Sequence, residues 1–170
     1  QIATYFSASA NIPVATNPKA IQLTITMNAL FNSVTVAAGQ QLVQTQVRIR
    51  GQGGLLANTA YTFSYPYGTL VCTTDGSGKI PNSCGTLNGV FVPFPPGDYA
   101  SILTGDVGPF LVPTDGATAP AGFLGDGASL HHVIGSPCSQ NFFRVSGPGL
   151  AVPLQQDQFT ILGQLAQTCP

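Results

Sequence analysis

His131 and His132 are the two imidazoles of this chain, and Asp126 and Ser129 lie a few residues upstream. Together they have the composition of a hydrolytic site, in which a carboxylate orients a histidine that takes a proton from a serine. The spacing argues against that use. Consecutive side chains in extended backbone point to opposite faces, so His131 and His132 do not converge on one proton or one metal ion. No G-x-S-x-G elbow surrounds Ser129. No catalytic residue is assigned, and a secreted hydrolase using His131 or His132 with Asp126 ranks third among the functions weighed.

Asp98, Asp106, Asp115 and Asp126 each stand beside a glycine. Calcium takes carboxylate and carbonyl oxygens from tight turns, which makes these four the metal candidates. Their spacing matches no EF-hand loop, and Asp-Gly is foremost a turn dipeptide. No cofactor is expected, with calcium as the one the chain could hold.

Cys72, Cys84, Cys138 and Cys169 show no CxxC spacing and read as two disulfides rather than a zinc site. Three pairings are open. Cys72 with Cys84 and Cys138 with Cys169 are preferred, because the first pair brackets the turn-rich TTDGSGKIPNS. Each bridge would stabilise by about 3 to 4 kcal/mol in the chain-entropy model. Disulfides place the chain in an oxidising compartment, secreted or at the cell surface. The start at Gln1, with no signal-like segment, is expected of an exported and processed form.

Tyr65, Tyr67 and Tyr99, with Asn88 nearby in sequence, are candidates for stacking on and hydrogen bonding to a sugar. Tryptophan, the commonest sugar platform, is absent. Alternating aromatics in strands are more often core.

The elements that must carry these residues are strands. Gly and Pro number 20 and 14 and fall between short segments rich in Val, Ile, Thr, Phe and Tyr. Alternation is clear in IQLTITM (21–27), VQTQVRIR (43–50) and YTFSY (61–65), and again in 142–145 and 159–165. In VQTQVRIR, Val43, Thr45, Val47 and Ile49 share a core face while Arg48 and Arg50 face water. No window carries a helical stripe. These features predict an all-β, single-domain antiparallel β-sandwich over 1–170, immunoglobulin-like or jelly-roll-like, with two disulfides and little or no helix. Residues 93–128, dense in Pro, Gly and Asp, are expected to form ordered loops at one end. Residues 1–18 are expected to be an extended strand or arm able to add to a neighbour.

VRIRG is followed by TAYTFSYPYGTLVC, GDVGPFL, APAGFLGDG, HHVIGSP and NFFRVSGPG. This succession resembles an uncharacterised family of secreted bacterial β-sandwich proteins with RVRIR, YTVTHPYG, GPFL, an AGYIGD-like turn, and GSP followed by NFFRVEGPG. The resemblance spans roughly residues 46 to 150 and implies a secreted sandwich without a known activity. Ser64-Tyr65-Pro66 stands where the family has Thr-His-Pro, and Ser146 replaces an acidic residue. Any site built on that histidine is missing here.

Charge is the strongest compositional signal. The 170 residues hold five basic and six acidic side chains, 6% of the chain, for a net charge of −1. Ordinary soluble domains are about a quarter charged. The scattered cations give no footprint for nucleic acid, and no apolar run is long enough to span a membrane. A surface so poor in charge lacks the repulsion that keeps most proteins apart. The leading expectation is a secreted, non-enzymatic structural or adhesive protein, a self-assembling subunit of an extracellular fibre, sheath or surface layer. The alternative is an extracellular carbohydrate-binding module, with a cell-surface or matrix polysaccharide as partner.

Overall fold

The computed structural model describes residues 2–14, 17–31, 36–82, 84, 92–93, 107–116 and 119–164. Among them there are eleven strands and no helix. β1 (Ile2–Val14), β2 (Asn17–Phe31) and β3 (Gln41–Arg50) are long. β4 (Ala60–Tyr65) and β5 (Gly68–Thr73) form a hairpin closed by Pro66-Tyr67. β6 (Val92–Pro93), β7 (Val112–Pro113), β8 (Leu130–Ile134), β9 (Phe143–Ser146), β10 (Leu154–Gln156) and β11 (Gln158–Gly163) follow.

The strands make two antiparallel sheets. One has seven strands in the order β6-β3-β2-β1-β11-β8-β7, the other four in the order β10-β9-β4-β5. Alternation builds the core between them, since along β1, β4, β8, β9 and β11 every second side chain faces inward. Phe6, Ala8, Ala10 and Ile12 of β1 and Ile21, Leu23, Ile25 and Met27 of β2 meet Tyr61, Phe63, Phe143 and Val145 of the smaller sheet. Phe63 stacks on Phe143 at 6.2 Å, and Phe6 on Phe110 at 4.5 Å. The buried Tyr61 hydroxyl donates to the Pro148 carbonyl at 2.9 Å and accepts from the Leu56 amide at 3.0 Å, tying two loops to β4.

The expected all-β sandwich is therefore the fold. Several details differ from the sequence expectations. Ile2–Val14 is a strand paired along its length with β2 and, over Phe6–Ser9, with β11 on its other edge. Long-range pairing decided this, because the alternation of 1–18 marks a strand without naming its neighbours. One disulfide, Cys72–Cys84, is formed, with the Cα atoms 5.8 Å apart. Cys138 is exposed and has no disulfide partner among the described residues, and its expected partner Cys169 lies outside them. Arg48 is half-buried, and its buried Nε atom has no hydrogen-bond partner among the described residues, whereas Arg50 is in water as expected. Of the loop-rich 93–128, residues 94–106 and 117–118 lie outside the described residues. The remainder is mostly turns around β7.

Candidate functional site

β8 places His131 inward, 8% exposed, and His132 outward. The His131 Nδ1 atom meets Asp115 Oδ1 at 2.8 Å, and the second Asp115 oxygen accepts the His132 amide at 3.3 Å. Asp115 thus fastens the loop after β7 to β8. Burial works against its charge, but the hydrogen bonds from His131 and the His132 amide outweigh that and hold its carboxyl below the usual range. The Nε2 atom of His131 is buried and has no partner among the described residues. Asp126 is committed elsewhere, since it accepts the Ser129 hydroxyl at 2.6 Å and the amides of Ala128 and Ser129, both at 2.8 Å. Those bonds, the Ser129 hydroxyl first, pull its pKa down to about 2.

Asp126, Ser129 and His131, weighed above as the least favoured site, belong to two local devices. One is a His131–Asp115 clamp and the other an Asp126 turn that starts β8. Neither aligns a serine with an imidazole. Asp98 and Asp106, the other two calcium candidates, lie outside the described residues. Among the described residues no three His, Cys, Asp or Glu side chains gather as a metal site.

The aromatic candidates part company. Tyr65 is 3% exposed within the sandwich, so its ring is closed to a sugar. Its inward position follows from sharing a face of β4 with Tyr61 and Phe63. Tyr67 is half-buried, donates its hydroxyl to the Pro109 carbonyl at 2.8 Å, and has its phenol pKa pushed up by burial. Tyr99 and Asn88 lie outside the described residues.

Two features were not singled out from sequence. The first is a polar cleft lined by Arg50, Gln52, Asp75, Lys79 and Asn82, where β3 meets the disulfide-bonded loop through the Gly51–Ile80 bridge. It gathers two of the five cations of the chain. The second is the outward face of the seven-stranded sheet. Register aligns Arg48, Thr24, Ser9, Thr160 and Leu130 in one row across five strands, and Gln46, Thr26, Ser7 and Leu162 in the next. Ser9 and Thr160 share a hydroxyl hydrogen bond of 2.7 Å. Exposed Leu130, Ile134 and Val112 close the face at the β8–β7 side. IQLTITM and SASAN already carry this pattern as alternating polar residues, but the rows appear only once the strands are in register.

No family model, curated protein or solved structure matches this chain.

Proposed function

We propose that the protein is a secreted, non-enzymatic structural or adhesive subunit that associates with copies of itself. The observation that carries this reading is the outward face of the large sheet. Among the residues of β1, β2, β3, β8 and β11 whose side chains are described it bears no carboxylate, and the permanent charges there are Arg48 and Arg50, both on β3; Lys19 of β2 is not among them. Sheet faces of freely soluble proteins are commonly solvated by Lys and Glu, whose like charges oppose stacking. Hydroxyl and amide side chains instead let two such surfaces approach with little electrostatic opposition. The Cys72–Cys84 disulfide supports an oxidising compartment.

Light scattering beside negative-stain microscopy tests the reading, on protein isolated at neutral pH without reductant. Filaments, tubes or sheets are expected. A 17.5 kDa monomer at every concentration would overturn it.

A second reading, an extracellular carbohydrate-binding module, draws support from the polar cleft. Arg50 and Lys79 would favour an acidic sugar there. Binding of a uronic-acid polymer that disappears in Arg50→Ala supports that reading, and equal binding by the variant removes it.

A further inference from the structure

Among the described residues four strands end the two sheets, and β3, which β6 covers only at Leu42 and Val43, carries Arg48 and Arg50 along the rest of its edge; three of the four end strands are blunted. β6 and β7 are two residues long and each ends in proline, and β10 has three residues. Short strands and proline are common defences against edge-to-edge pairing. The fourth edge, β5, has six residues, Gly68-Thr69-Leu70-Val71-Cys72-Thr73, with neither proline nor charge. Val71 is 66% exposed, one of the largest exposures of an aliphatic side chain in the structure.

The hydrogen-bond phase of β5 follows from both its ends. The Thr74 amide donates to the Thr59 carbonyl at 3.0 Å, and Tyr65 faces Gly68 across a two-residue turn. Hydrogen-bonded and non-hydrogen-bonded pairs alternate along an antiparallel ladder. Gly68, Leu70 and Cys72 therefore turn their backbone groups to β4, while Thr69, Val71 and Thr73 turn theirs away from the sheet. The side chains of the same three residues are exposed. Each thus presents an N–H and a C=O along an open edge.

We propose that β5 pairs with β5 of a second copy, antiparallel and centred on Val71, joining two four-stranded sheets into one. This inference rests on the self-association reading above and names one of the contacts it needs, since a two-fold contact by itself closes into a dimer. The strand is self-complementary under a two-fold axis, since Thr69 meets Thr73 of the second copy and Val71 meets its own equivalent. Outward backbone groups then satisfy each other at all three positions, and Thr–Thr and Val–Val pairs form on the solvent face. The absence of charge favours a second copy over a foreign peptide. Nothing on the strand repels its twin, and nothing selects an acidic or basic partner.

Sedimentation of the wild type, Val71→Lys and Val71→Thr across a concentration series tests the proposal, with hydrogen exchange on the wild type as a second measurement. Val71→Lys puts two like charges face to face at an exposed position, so association should weaken at least tenfold while melting is nearly unchanged. Val71→Thr should associate like the wild type. Amides of Thr69, Val71 and Thr73 should gain protection on association, while those of Leu70 and Cys72 are protected throughout. Assemblies that form equally well in Val71→Lys, with no new protection at Thr69, Val71 and Thr73, would overturn this interface and leave self-assembly standing. A dimer that is lost in Val71→Lys but never grows further would support the interface and overturn the polymeric function. A monomer throughout would overturn both.

Discussion

Tyr61 shows how one atom can hold several segments. Its hydroxyl joins the Leu56 amide to the Pro148 carbonyl beneath the smaller sheet, and the ring is buried against the core. Tyr61→Phe keeps the ring but orphans a donor and an acceptor. Urea unfolding should show a loss of about 1 to 3 kcal/mol. Asp126 makes a prediction of a different kind. Its folded-state pKa of about 2 lies below the usual aspartate value near 3.9. The stabilisation is therefore present above about pH 5 and is lost as pH falls towards 2. Asp75, held down by the Ser77 hydroxyl first and then by the Lys79 and Ser77 amides, has the same sign. Thermal unfolding of the wild type should fall over this acid range, and Asp126→Asn should fall less steeply. At the same scale, His131 and Asp126 were legible as reactive types. Their actual partners were not, because Asp115 reaches His131 only through the pairing of β7 with β8.

The disulfide-bonded loop is an element whose sequence anticipates its shape. Cys72 is buried at the end of β5, and Cys84 lies 12 residues later. Between them Asp75 Oδ1 gathers the Ser77 amide and hydroxyl and the Lys79 amide into a tight turn. Gly78 sits there at φ +73°, where an added Cβ would overlap the Leu55 carbonyl. Replacing both cysteines by alanine should cost about 3 kcal/mol in the chain-entropy model, read from denaturant midpoints with and without the bridge. The free β5 edge begins at the other end of this strand, so the bridge also fixes one end of the proposed interface. Alternation made β4 and β5 visible, but no pattern in GTLVCT says that none of the described strands lies beside β5.

At the scale of the whole molecule, scarcity of charge is the governing property. Association driven by backbone pairing and apolar contact, with few ions involved, should be insensitive to salt. Raising ionic strength from about 0.05 to about 1 M shrinks the Debye length to about 3 Å and should leave assembly size in light scattering unchanged or larger. A steep loss of assembly with salt would point instead to the few cations, Arg50 and Lys79 among them, as the contacts. The two sheets also differ in what they offer. The larger presents a broad polar face, while the smaller presents an open edge.

The amino-acid sequence by itself determined the all-β class, the inward faces of β2, β3 and β4, the stapled loop and the charge-poor surface. Each of these depends on a residue's type and its near neighbours, and periodicity, turn chemistry and composition are local quantities. Tertiary structure alone decided that Phe6–Ser9 lies between β2 and β11, that Tyr65 is closed to ligands, that Asp115 clamps His131, and that β5 is an uncharged edge with no strand beside it among the described residues. Those outcomes depend on which distant segments pair. In a sheet, hydrogen bonds between residues far apart in the chain set the neighbours, and many pairings satisfy the same local alternation.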